Sequence, residues 1–269
     1  MEWVEEAKQL AEQAAIEAGT YARERFGSRL TVDHKSDSGD LVTEVDVHTD
    51  AMIVRRIRSR FPDHAIESEE AGHTTGAAPS DVIWHVDPLD GTNNYALGIP
   101  LYGVCISANV YEETVLGVIY DSQLGIVYGA TAGGGATQDG VPIRAKPVAE
   151  LRKGTISWIQ GHAVGKQDEQ ALRLRHALEA QLKRVLRVWA PSLTWAMLAR
   201  GDLAGLVLYN SEGCDLYAGL LLAREAGVRV TDFGGTPVTG ACPAEPYLVA
   251  AHPDNHAELL RIVQQAVGV

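Results

Sequence analysis

The run Val82-Ile83-Trp84-His85-Val86 and the segment after it, Asp87-Pro88-Leu89-Asp90-Gly91-Thr92-Asn93-Asn94-Tyr95, constrain this chain more than any other stretch. Short, uncharged and rich in β-branched and aromatic side chains, the first run reads as a buried strand. It ends on two carboxylates three positions apart around a proline, where the chain is expected to turn. Proline at 88 restricts Asp87 to an extended conformation, which aims its side chain. Gly91-Thr92 reads as the start of a helix. Such a turn offers several hard oxygen ligands to a divalent cation. Amides at a helix start receive phosphate oxygens, and Gly91 brings no Cβ into their way. Metal and phosphate chemistry at one point suggests work on phosphoesters.

The rest of the chain alternates between helical and extended periodicity. Helices are expected over residues 2–26, about 44–60, 167–183, 192–200, 215–226 and 254–267. The second is expected to bury Val47, Ala51, Val54, Ile57 and Phe61, with Asp46 in its first turn. Strands are expected over 102–110, 114–120, 126–131, 156–159, 185–189, 203–209, 228–231 and 247–250. The pattern is α/β, and its 269 residues suit one domain of two halves, 1–150 and 151–269, sharing a core. Gly133-Gly134-Gly135 lacks the strand and helix context of a phosphate loop and reads as the end of a hairpin.

A net charge of −12 argues against a nucleic-acid footprint or an anionic membrane surface. It does not exclude a phosphate ligand, because bound cations invert the local field. The start of the chain lacks the basic-then-apolar pattern of a leader. Leu220-Leu221-Leu222 falls far short of a membrane span. Cys105, Cys214 and Cys242 show no close pair spacing, so neither a disulfide framework nor zinc is expected, and a cytoplasmic setting fits.

Carboxylates recur in four places: Asp46, Glu69-Glu70, Asp87 with Asp90, and Asp215. Magnesium needs only a few of them beside substrate phosphate. Each also has a structural reading. Asp46 suits the first turn of a helix, Glu69-Glu70 a solvated loop, and Asp215 an N-cap.

As a set they point elsewhere. Asp87-Pro88-Leu89-Asp90-Gly91-Thr92-Asn93-Asn94-Tyr95 resembles the first signature of the inositol monophosphatase superfamily, D-P-[IL]-D-G-T-x-N-[FY]. Lys35 with Asp40-Leu41-Val42-Thr43-Glu44-Val45-Asp46 is similar to its K…DLVTxxD segment, and Ser68-Glu69-Glu70 to its small-residue-E-E element. Asp215-Leu216-Tyr217-Ala218-Gly219, Arg224-Glu225-Ala226-Gly227 and Thr231-Asp232 resemble the second signature, W-D-x-A-A-G…E-A-G-G…D.

The resemblance implies an αβαβα layered sandwich and a Mg²⁺-dependent phosphatase using two to three ions. Glu69, Asp87 and the Leu89 carbonyl would bind the first ion. Asp87, Asp90 and Asp215 would hold the second, and Glu69 a weaker third. Glu69, Thr92 and Asp46 form the implied catalytic set, with Thr92 bonded to Asp46 and orienting the attacking water. Gly91 and Thr92 amides would hold phosphate, and Lys35 would line the metal loop. Lithium inhibition and a homodimer are further family expectations; neither nucleic acid nor membrane is an expected partner. The implied substrate is a small phosphorylated polyol or sugar, inositol monophosphate by default. A fructose-1,6-bisphosphatase-like or nucleotide 3′-phosphatase activity is the alternative, and a regulatory or binding protein on the same fold is the alternative of another class.

The leaving-group end departs from the pattern. Cys214 stands where the second signature has tryptophan, and Leu208 where inositol-specific members carry a glutamate. Asn210 or Glu212 are the candidate substitutes. Trp189 is either core packing, the preferred reading, or a bulky wall that narrows the pocket. Among the rest, Cys105 reads as a packed thiol and His85 as a satisfied structural histidine. The run Arg55, Arg56, Arg58 and Arg60 reads as a solvated helix face.

Overall fold

A computed structural model describes residues 2–29, 31–34, 41–211, 213–240, 242–243 and 245–268. Two helices, α1 (Glu2–Arg25) and α2 (Glu44–Arg60), enclose the antiparallel pair β1 (Val32–His34) and β2 (Leu41–Thr43). Then come β3 (Ala65–Ser68), β4 (Gly72–Thr74), β5 (Val82–Asp90), a short helix α3 (Thr92–Ala96), β6 (Gly103–Val110) and β7 (Glu113–Asp121). The meander ends with β8 (Ile126–Thr131), β9 (Gly135–Gln138) and β10 (Val141–Pro142). The remainder is β11 (Thr155–Gln160), α4 (Glu169–Gln181), β12 (Arg184–Leu186), α5 (Pro191–Arg200), β13 (Gly205–Tyr209), α6 (Cys214–Glu225), β14 (Arg229–Asp232), β15 (Tyr247–Ala251) and α7 (Pro253–Val267).

Strands β3 to β10 form one sheet of eight, ordered β10-β9-β8-β7-β6-β5-β3-β4, and β11 to β15 a second of five, ordered β12-β11-β13-β15-β14. Their faces explain the layering. Trp84, Val86, Val104 and Ile106 pack against the alanine stripe of α1 and Ile53 and Ile57 of α2. Cys105, Ile119 and Tyr128 on the opposite face meet Leu193 of α5 and Ala218 and Leu221 of α6. Those two helices turn Trp195, Leu198, Leu216 and Leu220 toward Leu206, Leu208 and Leu248 of the second sheet. Val207 and Val249 alternate to its outer face, where α4 and α7 cover them. The result is the αβαβα sandwich. At Gly117 a Cβ would lie 2.8 Å from the Ala218 backbone, so glycine sets how closely α6 approaches its sheet.

Several expectations change on contact with the structure. Val47 is exposed, and α2 instead buries Val45, Asp46, Thr49, Asp50, Ile53 and Ile57. The Asp87–Asp90 segment is not a turn after the strand; β5 runs through it, with a register shift between the two acids against β6. His85 is buried and stacks on Tyr217 at 4.0 Å, and neither ring nitrogen has a hydrogen-bond partner among the described residues, in place of the satisfied histidine expected. The Gly133–Gly135 loop is a hairpin end as expected, and its Gly133 and Gly135 amides each donate to the Glu225 carboxylate at 2.8 Å. Of the arginine run, Arg56 bonds Glu17 and Gln13, Arg60 pairs with Glu6, and Arg58 donates to the His64 and Thr74 carbonyls. No helix among the described residues is long and apolar enough to cross a membrane.

His256, on α7, is buried with its Nε2 near the Val249 carbonyl and the Thr231 hydroxyl, and burial lowers its pKa. The unfolded chain therefore takes up this proton at higher pH than the folded one. Stability is full above about pH 6.5 and falls as pH drops below it. Thermal melts of a His256→Gln variant in saturating Mg²⁺ are expected to show a shallower loss between pH 7 and 5 than the parent. Parallel curves would remove His256 as the cause.

Candidate functional site

The two acids of β5 owe their position to the break in register. Between Asp87 and Asp90 the pairing with β6 slips, and both side chains are buried at the strand's end. The Leu89 amide donates to Asp87 Oδ1 at 3.1 Å, locking that carboxylate against its own backbone. Gly91 follows with φ of 93°, a conformation that favours glycine. A Cβ there would also lie 2.9 Å from the Leu101 carbonyl.

A cavity of about 320 Å³ opens at this point. It is lined by Glu69, Asp87, Leu89, Asp90, Gly91, Thr92 and Asp215 from the predicted set, and by Trp189. Glu69 reaches it from just past β3, its amide fixed to the Val86 carbonyl at 3.0 Å; Glu70 is not among the lining residues. Asp215 lies in the first turn of α6, where Gly213 rather than Asp215 occupies the N-cap. Lys35 and Glu212 lie outside the described residues. Asn210 does not line the cavity. Its amide is held by the Pro246 carbonyl and its backbone is left-handed, φ 44°, which corrects the expectation that it faces substrate.

Trp189 is the other correction. Its backbone is left-handed, φ 48°, ending β12 earlier than its β-rich sequence suggests, and its side chain is 58% exposed at the cavity wall. It is not core.

Asp46 is buried beside Thr92 and bonds Thr43 and Thr92. Its Oδ2 accepts from the Thr43 amide at 2.8 Å and the Thr43 hydroxyl at 2.5 Å, closing a capping box at the start of α2. Its Oδ1 lies 2.8 Å from Thr92 Oγ1, which is also 2.9 Å from the Leu89 carbonyl. The helix-capping contact and the Thr92 contact of Asp46 therefore coexist, one on each oxygen.

Sequence reasoning missed the supports of the site. Ser192, at the start of α5, donates its amide to Asp90 Oδ2 at 2.8 Å and its hydroxyl to the same oxygen, joining the second half of the chain to the first. A carboxylate has about four acceptor sites, so these bonds leave Asp90 capacity for a cation. Asn94 donates its side-chain amide to the Leu101 carbonyl at 2.8 Å and the Val188 carbonyl at 2.7 Å, with the Trp189 carbonyl at 3.3 Å. Asp50, one turn after Asp46, accepts from Ser68 directly before Glu69. Serine at N2 of a helix and a second acid at i+4 were the available signals, and neither is distinctive alone.

The electrostatics follow from crowding. Burial pushes Asp87 well above the usual carboxylate range, and Glu69, Asp90 and Asp215 push it further. Burial lifts Asp90 to about 7 against the opposing Ser192 bonds. Asp215 is raised by burial and by Asp90 and Glu69. Cys105 and Cys214 are raised too, first by burial, Cys214 to about 12, which makes both poor thiolates. Among the described residues lining the cavity, Arg187 is the one Lys or Arg. Four acids with all-oxygen donors and so little opposing charge fit hard divalent cations that also take water and substrate oxygens. Among the described residues, no three His, Cys, Asp or Glu side chains form a ready metal cage. The fit is one of donor chemistry.

The family model that describes inositol monophosphatases matches residues 3–267. The Mycobacterium tuberculosis protein named inositol-1-monophosphatase SuhB is 34% identical, over 97% of this chain and 94% of its own length. The Vibrio cholerae protein named Nus factor SuhB is 30% identical over 84% and 85%. Among solved structures, the Bartonella henselae extragenic suppressor protein SuhB superposes with a TM-score of 0.87 at 26% identity, covering 96% of this chain and 98% of that one. The Thermotoga maritima IMPase gives 0.83 at 26% identity, covering 97% of each.

Proposed function

We propose that this chain, which belongs to the inositol monophosphatase family, hydrolyses a small phosphate monoester of a polyol or sugar with Mg²⁺ as cofactor. The observation that carries the reading is the gathering of Glu69, Asp87, Asp90 and Asp215 on one cavity above the Thr92–Asp46 pair. In this reading Glu69, Asp87, Asp215, Asp90 and the Leu89 carbonyl hold the cations. When bound, these ions acidify water and neutralise charge on the phosphoryl and departing oxygens, the large part of a reaction needing up to ~10²¹-fold acceleration.

The chain's own groups supply orientation. Thr92 has one hydroxyl proton and two acceptors within reach, Asp46 Oδ1 and the Leu89 carbonyl. Giving that proton to Asp46 leaves an oxygen lone pair on Thr92 to accept from a water in the cavity. Asp46 cannot swing away, because Thr43 holds its other oxygen. Gly91 and Thr92 amides are the proposed phosphate contacts. The leaving-group end opens toward the exposed Trp189, which suits the face of a sugar or polyol ring.

The test is phosphate release from inositol 1-phosphate and a panel of sugar and polyol monophosphates, with Mg²⁺, with chelator, and with Mg²⁺ restored. Release that disappears with chelator and returns with Mg²⁺ is expected, and Li⁺ is expected to inhibit it. Absence of release from every monoester at saturating Mg²⁺ would sink the reading and favour a regulatory or binding role; the Vibrio cholerae relative is named a Nus factor.

A further inference from the structure

We propose that the stacked rings of His85 and Tyr217 form a spacer between β5 and α6 that sets the gap between Asp87 and Asp215. Both are then positioning residues for the cations, a role that rests on the reading of the acids given above. Two rows of residues cross the eight-stranded sheet beneath α6. In the first, His85 of β5, Ser107 of β6 and Gly117 of β7 are register partners and share a face. Two positions along each strand, Asp87, Cys105 and Ile119 make the second row on that same face.

Over the first row the fit to α6 changes from strand to strand. Gly117 brings no side chain, and a Cβ there would lie 2.8 Å from the Ala218 backbone. At His85 a whole ring stands beneath the helix and meets the ring of Tyr217, centroids 4.0 Å apart and planes 20° from parallel. The helix is therefore drawn in over β7 and held off over β5. Neither imidazole nitrogen has a hydrogen-bond partner among the described residues, so the ring offers α6 its face. The first turn of α6 sits over the second row, its Asp215 carbonyl 3.6 Å from Cys105 Sγ, and Cys105 is the register partner of Asp87. Each ring is two residues from an acid, His85 before Asp87 and Tyr217 after Asp215. A change in the thickness of the stack moves one acid relative to the other. Mg²⁺ demands near-ideal octahedral geometry, so such a shift is felt as affinity. The sequence carries a matching departure. Where the second signature has tryptophan directly before its aspartate and alanine two places after it, this chain has Cys214 and Tyr217. Aromatic bulk moves three positions, which keeps it on one side of the helix, and His85 faces it there.

The experiment measures Mn²⁺ binding by electron paramagnetic resonance, without substrate, in the parent and in His85→Val, His85→Phe, Tyr217→Ala, Tyr217→Phe and the Val/Ala double variant. Leu220→Ala, on the side of α6 that faces the second sheet, controls for destabilisation alone. His85→Val and Tyr217→Ala are expected to weaken Mn²⁺ binding by about 10- to 100-fold, the range for groups that orient metal ligands. The two phenylalanine variants keep the stack and should stay close to the parent. The double variant should be little weaker than either single one, because two rings make one spacer. Leu220→Ala should lower the melting temperature and leave the affinity unchanged. Affinities that follow the melting temperature, Leu220→Ala included, would overturn the proposal. So would phenylalanine variants as weak as the non-aromatic ones, or non-aromatic variants that bind as tightly as the parent. Should His85→Val not fold, Tyr217→Ala, at a half-buried position, decides in its place. A parent that binds no Mn²⁺ would defeat the cation reading itself and the spacer with it, a result distinct from a parent and variants that bind alike.

Discussion

Asp87→Asn is expected to lower kcat for Mg²⁺-dependent phosphate release by at least about 10³-fold while raising the melting temperature of the metal-free protein. Both effects have one cause. Asp87 is buried and crowded by Glu69, Asp90 and Asp215, so without cations its charge opposes folding. Asparagine keeps the shape and can accept the Leu89 amide in place of the carboxylate. It removes the charge and with it one of the anionic side chains that would hold the cations. One kcal/mol of relief would raise the melting temperature by roughly 2–4 °C for a chain of this size. Calorimetry with and without Mg²⁺ separates the two states: Mg²⁺ should stabilise the parent clearly and the variant little. A variant that gains as much from Mg²⁺ as the parent would remove Asp87 from the ligand set.

The second large effect concerns Thr92. Thr92→Ala should lower kcat by about 10²–10³-fold, within the range for a positioned proton acceptor, and leave the Mg²⁺ concentration for half-maximal activity nearly unchanged. The side chain proposed to hold the water is lost, and the four acids are not touched. Thr92→Ser keeps the hydroxyl and should retain most activity. Asp46→Asn should match the alanine variant, and the double variant should be little worse than either single one, because Thr92 and Asp46 act through one hydrogen bond at 2.8 Å. Multiplying losses in the double variant would mean that the two residues work separately.

The sequence carried the long elements and the acid segments well, for a physical reason. Helices α1, α5 and α7 and strands β6, β7 and β8 have periods long enough to read, and they run close to their expected bounds. Short edge elements such as β1, β4 and β10 offer two or three residues each and leave no period. The face of α2 was misjudged because its buried side includes Asp46, Thr49 and Asp50. Polar groups that serve the site invert the apolar pattern, so Val47 points to solvent. Of the two readings of Trp189, core packing is the one a large aromatic usually favours, yet the side chain is exposed at the cavity wall, as the pocket-wall alternative has it. Ser192 and Asn94 were illegible for another reason. Their partners, Asp90 and the Val188 carbonyl, lie 102 and 94 residues away. No local spacing encodes such a bond.

The tether made by Asn94 has a bearing on how such a chain diversifies. One side-chain amide fixes the carbonyls of Leu101 and Val188, so the backbone of the far wall is held from the phosphate end. Side chains at 187 to 189 can then be exchanged over generations without moving Asp87, Asp90 or Thr92. On the proposed function, the acids and the wall that meets the leaving group are then separable, and a substitution in the wall would change substrate choice with the chemistry intact.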